Sequence, residues 1–451
     1  MKTQNLPKGF KNTIEALIGE ESPLFFDALG EVSPVSVRQN PLKPKKEWEN
    51  ATPILWCATG NYLAERPLFT ADPHFHAGNY YVQEASSMFL EQFVKENIAN
   101  DAAVTALDLC AAPGGKSTHL VALLHQESTV FCNEVIPKRN AVLCENITKW
   151  GTANVIVTQN EADDFLPLQN FFDVVLIDAP CSGEGMFRKD ARAIEEWSEK
   201  NVEICSLRQA EILENIVGSL KENGILIYST CTFEKAENEE KIKWLCEEKG
   251  MEEIRIKAAI PEGVVVAEHG YRFYPHKVKG EGFYIACVRK KKPFTAPSFD
   301  IKNYKKQVQA FTYKQVPAAL SSIIENAERF KWFQFKNQYA FIEESAWQKL
   351  LTAEKFLNIK QAGTAVGEEK GKDIQLNHAA AISVNRNTHL PQIELSKSDA
   401  LKFLKNESMH IEAPKGWLAV VFGNTCLGWA KSTGTRLNNH YPKEWKIRMD
   451  V

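Results

Sequence analysis

The stretch Ala106-Leu107-Asp108-Leu109-Cys110-Ala111-Ala112-Pro113-Gly114-Gly115-Lys116-Ser117-Thr118 constrains this chain more than any other. It begins apolar, turns on Pro-Gly-Gly and runs into His119-Leu120-Val121-Ala122-Leu123-Leu124, the pattern of a strand, a tight turn and a helix. In an open α/β sheet such a turn lies at the carboxyl end of the first strand, where ligands bind. Glycine lets a ligand approach the backbone because no Cβ intervenes. Free N–H groups of the new helix can donate to a carboxylate or phosphate. Two common motifs fail on residues. A phosphate-binding loop ending in Gly115-Lys116-Ser117 needs glycine at position 110, which is Cys110. No Gly-x-Gly-x-x-Gly is present either. On the turn alone, a strand–turn–helix without ligand stays open.

The 451 residues exceed one core and imply several domains. Hydrophobic residues at 44% and charged residues at 25% place the chain among globular proteins. No apolar run reaches the roughly 18 residues of a membrane span. The first residues carry no apolar core of a secretory signal, so a cytoplasmic protein is expected, with no membrane partner. The 10 cysteines include no two within four positions, which removes the close pairs of structural zinc, and no metal is expected. A net charge of −3 does not announce a nucleic-acid binder. Basic clusters at Lys43, Lys45 and Lys46, at Lys277 and Lys279, at Arg289–Lys292 and at Lys302, Lys305 and Lys306 permit a phosphate-backbone partner. Such runs usually mark no more than a solvated face.

Residues 1–95 form a first unit: a helical Pro7–Leu29, a strand at Val35–Arg38, a Lys/Pro-rich loop over 40–53 and a helix near 84–96. Residues 96–290 alternate strands and helices. The strands are Val104–Leu109, Val130–Glu134, Val155–Thr158, Phe172–Asp178 and Ile225–Ser229, with a late one at Phe283–Val288. Pro137–Trp150 reads as a helix stopped by Gly151, and Ser198–Lys221 as a long helix stopped by Gly224. Near-continuous apolar strands separated by helices mean a mostly parallel sheet covered on both faces. Residues 291–315 read as a linker, the rest of 291–375 as a mixed middle region, and Glu368–Lys372 as a loop. Residues 376–451 read as a small β domain, with a hairpin turning on Gly423-Asn424 between Trp417–Phe422 and Cys426–Ala430.

Strand two ends in Glu134, where an acid can accept ribose hydroxyls; a plain surface acid is the alternative. Glu161, Asp163 and Asp164 follow strand three as a further acidic edge. Strand four ends in Asp178-Ala179-Pro180-Cys181-Ser182-Gly183-Glu184-Gly185 and strand five in Ser229-Thr230-Cys231-Thr232. In strand order 3-2-1-4-5 these ends are neighbours, which brings Cys181, Cys231 and Asp178 to the mouth of the glycine turn. A single cysteine is usually a buried core thiol. Two beyond adjacent strand ends in one cleft suit covalent chemistry. A thiolate adding to carbon 6 of cytosine makes carbon 5 nucleophilic toward a methyl donor. A carboxyl group at N3 and N4 stabilises the charge that develops, and a second thiol can assist release.

Arg38-Gln39-Asn40, Gln83-Glu84-Ala85-Ser86-Ser87, Ala111-Ala112-Pro113-Gly114-Gly115-Lys116, Asn133-Glu134, Asp178-Ala179-Pro180-Cys181-Ser182-Gly183 and Ser229-Thr230-Cys231-Thr232 resemble the NOL1/NOP2/Sun family of RNA cytosine-C5 methyltransferases. The resemblance covers residues 1 to about 290. It implies that Cys231 is the nucleophile, that Cys181 aids product release and that Asp178 contacts the target base. It also implies an S-adenosylmethionine site lined by Cys110, Ala111, Ala112, Pro113, Gly114, Gly115, Lys116, Glu134, Glu161 and Asp178. Glu161 departs from the aspartate common there, which puts only its contact in question. Leu6-Pro7-Lys8-Gly9-Phe10, Lys415-Gly416-Trp417, Leu427-Gly428-Trp429-Ala430-Lys431 and Asn438-Asn439-His440-Tyr441-Pro442 resemble a bacterial subgroup that carries a PUA-like tail and methylates small-subunit ribosomal RNA.

The implied fold is an α/β, Rossmann-like S-adenosylmethionine-dependent methyltransferase with an N-terminal α+β extension and a C-terminal PUA-like domain. The expected partner is RNA, as small-subunit rRNA or the assembling small ribosomal subunit, and a monomer is expected. The competing readings are a transfer-RNA substrate and a non-catalytic RNA-binding assembly factor. Both catalytic-type thiols are present, against the latter.

Overall fold

The computed structural model describes residues 6–292, 312–313, 315–371 and 373–449. Most of the 291–315 linker lies outside the described residues.

Helices α1 (Lys8–Ile18) and α2 (Ser22–Leu29) open the chain. Their apolar faces bury Phe10, Ile14, Phe25 and Leu29 against Phe187, Trp197, Phe233 and Tyr274, so this helix pair backs the loops that follow two strands of the main sheet. Strands β1 (Val35–Gln39), β2 (Thr52–Ile54), β3 (Cys57–Leu63) and β4 (Tyr80–Val82) form an antiparallel sheet in the order β2-β3-β1-β4. The short helix α3 (Pro73–His76) and α4 (Leu90–Asn97) complete the extension.

The main sheet holds β5 (Thr105–Asp108), β6 (Thr129–Asn133), β7 (Val155–Thr158), β8 (Phe172–Asp178) and β9 (Leu220–Thr230). They are parallel in the order β7-β6-β5-β8-β9, the arrangement anticipated above. Alternate side chains serve two cores. Ala106, Val130, Val157 and Leu176 enter one, and Leu107, Phe131, Ile156 and Ile177 the other, which is why these strands read as apolar throughout. The connecting helices are α5 (Gly115–Leu123), α6 (Pro137–Trp150), the short α7 (Ala191–Glu196) and α8 (Glu199–Ile216). Pro137 opens α6, and Gly151 at φ +89° closes it with an N–H bond to the Ile147 carbonyl.

Helix α8 ends earlier than expected. Val217–Ser219 tightens into a 3₁₀ turn, Ser219 Oγ donates to the Ile216 carbonyl at 2.8 Å, and β9 starts at Leu220. Gly224 therefore lies inside a strand, where an added Cβ would stand 2.9 Å from the Asp173 carbonyl. After α9 (Glu239–Glu247) come β10 (Met251–Ile254), β11 (Val264–Val266), β12 (Tyr271–Phe273) and β13 (Phe283–Lys290). β13 runs antiparallel to β9, with Tyr284 opposite Thr230.

The middle region is more ordered than its sequence suggests. Strands β14 (Thr312–Tyr313), β15 (Phe330–Phe335) and β16 (Gln338–Glu343), helices α10 (Ala318–Ser321) and α11 (Glu344–Ala353), and β17 (Ile359–Ala362), β18 (Thr364–Lys370) and β19 (Asp373–Leu376) fill it. β17 leaves its neighbours and pairs with β7, becoming part of the ten-stranded main sheet. Glu368–Lys370, expected as a loop, is strand. It pairs with β19 while Glu369 and Lys370 face solvent, and a ribbon end exposed in this way needs no apolar pattern.

The tail contributes α12 (His378–Ile382), β20 (Gln392–Glu394), α13 (Lys397–Leu404), β21 (Gly416–Phe422), β22 (Thr425–Ser432) and β23 (Leu437–Asn439). The predicted hairpin joins β21 and β22, with Gly423 at φ +53° and Asn424 at φ +62°, as a two-residue turn matching strand twist requires. This tail docks on the rest. Val384 N–H donates to the Gly151 carbonyl at 3.0 Å, and Asn79 Nδ2 donates to Thr425 Oγ1 at 2.8 Å.

Candidate active site at the carboxyl edge of the sheet

Beyond Asp108 the chain turns across the sheet edge. Ala111 N–H donates to the Asn133 carbonyl at 2.8 Å, the Ala112–Pro113 peptide is cis, and Gly114 takes φ +113° before α5 begins. Any side chain at Gly114 would be strained by that φ. Arg38 of β1 reaches into this turn. Its Nη2 donates to the Gly115 carbonyl at 3.2 Å and to Thr118 Oγ1 at 2.6 Å, and its Nε donates to Gln83 Oε1 at 2.8 Å. The guanidinium is buried over the Trp150 ring, and burial lowers its pKa to about 10.

A cavity of about 170 Å³ opens beside the turn. Cys110, Ala111, Ala112, Pro113, Gly115, Lys116 and Asp178 line it, joined by Tyr81, Gln83, Glu84 and Ser87 from the extension. Seven of the residues assigned to a cofactor by resemblance therefore meet on one wall. Three others stand elsewhere. Gly114 faces Leu143 and Asn146. Glu134 is buried just past β6, accepts from Ile136 N–H at 2.9 Å and lies 3.1 Å from the Arg139 guanidinium. Glu161 is exposed, and its carboxylate takes part in a reciprocal capping box with Asp164.

Charge in the cavity is paired. Lys116 Nζ lies 2.9 Å from Asp178 Oδ2, and Ser229 Oγ donates to Asp178 Oδ1 at 2.8 Å. Burial works against the ammonium of Lys116, but Asp178 outweighs it and the lysine pKa is raised. Asp108 is fully buried; Ser117 Oγ donates to its Oδ2 at 2.7 Å while Oδ1 has no hydrogen-bond partner. Burial lifts its carboxyl to about 7. A buried acceptor without a donor, a turn open to backbone approach and a half-buried ion pair suit a ligand rich in amino, carboxylate and hydroxyl groups.

The two thiols meet at the same mouth. Asp178 of β8 pairs in register with Ser229 of β9, so the loops beyond them start side by side. Cys181 Sγ and Cys231 Sγ lie 3.3 Å apart. The hydrogen bond with Cys231, then burial, pushes the Cys181 thiol well above its ordinary range. Gly185 N–H donates to the Cys231 carbonyl at 2.7 Å, and a Cβ there would strike the Gly282 carbonyl at 2.5 Å. Gly185 is thus a close-approach glycine. The sequence showed no role for Arg38, for Tyr81, or for the buried Glu184 and Glu237 behind the thiols. An acid between two glycines at a strand end is the one signal that could have drawn attention to Glu184.

Cys57, Glu91 and His119 form the one metal-ligand-type group found among the described residues. Their atoms are already engaged. Glu91 accepts from Ala58 N–H at 3.0 Å, pairs with Lys95 and lies 3.1 Å from His119 Nε2. Burial holds His119 down at about 4. Lys43, expected on a solvated face, instead donates to the Ala77 and Lys149 carbonyls and is lowered to about 7 by burial.

A Rossmann-like sheet with a glycine turn at its switch point and paired thiols beside it defines a methyltransferase-type site. The family model described as 16S rRNA methyltransferase RsmB/F matches residues 97–289. The N-terminal domain of 16S rRNA methyltransferase RsmF matches residues 6–85, and the methyltransferase RsmF PUA domain matches residues 390–447. The ribosomal RNA small subunit methyltransferase F of Salmonella agona is 31% identical over 412 residues, 87% of this chain and 84% of that one. The protein of that name from Vibrio atlanticus is 29% identical over 439 residues, 91% and 90% of the two chains. A methyltransferase homolog from Pyrococcus horikoshii superposes with a TM-score of 0.55 at 28% identity, over 63% of this chain and 95% of that one. NSun6 from Pyrococcus horikoshii, solved with SFG, gives a TM-score of 0.53 at 23% identity, over 63% and 98%, and speaks to the fold. The chain belongs to the RsmB/F family; it is an S-adenosylmethionine-dependent RNA methyltransferase.

Proposed function

We propose that this chain methylates carbon 5 of cytosine in small-subunit ribosomal RNA, with Cys231 as nucleophile, Cys181 aiding release and Asp178 on the base. The observation that carries the reading is the 3.3 Å approach of two thiols at adjacent strand ends, beside a cavity lined by the glycine turn. S-adenosylmethionine, when bound, supplies a methyl group on a sulfonium. Cys110–Pro113, Gly115, Lys116 and Asp178 are the residues of this chain that would hold it, with Gly114, Glu134 and Glu161 beyond the cavity wall.

The chain's own residues do the rest. The Cys231 thiolate adds to carbon 6 of a cytosine and makes carbon 5 a nucleophile. Asp178 hydrogen-bonds the ring as charge develops on it. Once carbon 5 carries the methyl group, its proton passes to solvent, the electron pair left behind restores the carbon 5–carbon 6 double bond, and Cys231 is expelled as thiolate beside Cys181. Carbon 6 is out of reach in a stacked helix, so the base is unpaired or turned outward.

In this reading residues 1–95 and 376–451 bind RNA, 96–290 carry the catalytic domain and 291–375 join the two halves. No described helix is long and apolar enough to cross a membrane. The reading has the chain act as a monomer in the cytoplasm, on rRNA or an assembling subunit. Bisulfite sequencing of ribosomal and transfer RNA, from cells with and without the gene, tests the proposal. Loss of protected cytosines in small-subunit rRNA is the expected result. Loss confined to transfer RNA would keep the chemistry and replace the substrate. An unchanged pattern in both would reject the reading.

A further inference from the structure

Two buried carboxyl groups cross-link the thiol loops, each from the opposite loop. Glu237 follows Cys231 in the chain, yet its carboxylate serves the Cys181 loop. It accepts from Ser182 N–H at 3.0 Å and from Ser182 Oγ at 2.6 Å, with Gln209 Nε2 at 2.8 Å. Glu184 follows Cys181, yet its carboxyl serves the Cys231 loop. Thr232 Oγ1 lies 2.9 Å from its Oε2 and Phe233 N–H donates to the same oxygen at 2.8 Å, while Trp197 Nε1 donates to Oε1 at 2.9 Å. Ser182 and Thr232 are the residues immediately after the two cysteines, and their hydroxyls meet at 2.8 Å.

A continuous chain results: Glu184 to Thr232 to Ser182 to Glu237. Its three oxygen–oxygen contacts need three protons, and the two hydroxyls supply two. The third belongs on a carboxyl group. Both acids are fully buried beside Glu234, and burial raises both, Glu184 to about 8, so one of the two carries it. With the third proton on either carboxyl group, the donors run in one sense along the chain. Every contact is then satisfied, as a buried polar network must be to hold its shape.

We propose that Glu184 and Glu237 are positioning residues that set the separation of Cys181 and Cys231 by a reciprocal exchange of hydrogen bonds between the two loops. The proposal rests on the thiol roles given above. Because each acid holds the other loop, the two have different consequences. Glu237 fixes the backbone next to Cys181 and so governs release. Glu184 holds the Thr232 hydroxyl and the Phe233 N–H just beyond Cys231 and so governs attack.

The test uses the full-length protein and two readouts. Phenylarsine oxide binds two adjacent thiols together with loss of water, and reads their separation without RNA or cofactor. Glu184→Gln and Glu237→Gln should each weaken its binding at least tenfold relative to wild type, with Cys181→Ser as the blank. Unchanged binding would overturn the proposal, whatever the thiols do in catalysis. In the RNA assay, Glu237→Gln should accumulate a covalent enzyme–RNA band on a denaturing gel, as Cys181→Ala does. In the Cys181→Ala background, where release is blocked, Glu184→Gln should slow formation of the band at least tenfold. The same band behaviour in both variants would overturn the crossed assignment. Should either variant lose its cooperative melting transition, Ser182→Ala and Thr232→Val break the same chain without touching charge. Wild-type arsenical binding in those two would overturn the proposal. Failure of Cys181→Ala itself to give a band would refute the thiol roles while leaving the separation readout intact.

Discussion

Arg38 donates to Thr118 Oγ1 at 2.6 Å across eighty positions of sequence, and the same nitrogen donates to the Gly115 carbonyl. The extension thereby grips the first turn of α5, the element that shapes the cofactor cavity. One guanidinium nitrogen, Nη1, is buried without a partner, so the site tolerates a charge because the other contacts are good.

Arg38→Lys keeps the charge and loses the fork. Gln83 and Thr118 are then left short of a donor, at a cost of about 1–3 kcal/mol each where no water enters. The expected outcome is a lower melting temperature together with at least a tenfold rise in KM for S-adenosylmethionine. KM for RNA should move less. Titration calorimetry with the cofactor alone checks it; unchanged affinity would show that the grip is purely structural.

Cys231→Ala should abolish turnover and leave cofactor affinity near that of wild type, because its sulfur does not line the cofactor cavity. Residual activity close to wild type would remove it as the nucleophile. Cys181→Ala should instead trap the protein on RNA. The absence of a slow-migrating band on a denaturing gel would leave the second thiol without a role in release.

The catalytic half of this fold was legible because its strands are buried on both faces. Val155–Thr158, Phe172–Asp178 and Pro137–Trp150 have the boundaries that the apolar runs and the Pro and Gly stops mark. The adjacency of β8 and β9 implied by that pattern brings Cys181 beside Cys231, as the sheet does. The middle region was opaque for the converse reason. β17 borrows its partner from β7, and β18 ends in exposed Glu and Lys, so neither carries a local signature. Glu184 and Glu237 were invisible because burial of an acid depends on donors from a distant loop, and composition holds no trace of that. Lys43 hides its place likewise: its sequence neighbours suggest solvent, whereas the carbonyls of Ala77 and Lys149 enclose it.

Asp108 makes stability depend on pH in a specific direction. Its carboxyl rises from an ordinary value of 3.8 to about 7, chiefly by burial. The folded state therefore holds a proton that the unfolded state gives up, and the stabilisation is full below about 3.8 and lost as pH rises toward 7. Asp108→Asn removes that dependence. Measured by urea unfolding, the variant should gain stability relative to wild type between pH 4 and pH 7. A constant difference across that range would mean that Asp108 is ionised throughout.

The tail resembles a separate module in sequence, yet its core is shared. Ala419, Val421 and Trp429 lie in one cluster with Phe341 and Val366 of the middle region and with Ala153 just beyond α6. Lys149 adds a cation over the Trp445 ring at 5.3 Å. Deleting residues 376–451 strips Trp429 and its neighbours from that cluster and uncovers apolar area that stabilises at about 25 cal/mol per Å². The truncated chain should melt at a lower temperature, and limited proteolysis should open first within 316–371. RNA affinity measured on it would then report unfolding as well as lost contacts. A truncated chain that melts with the full-length protein and resists protease would make the tail an independent RNA-binding unit, and its loss of RNA affinity could then be read directly.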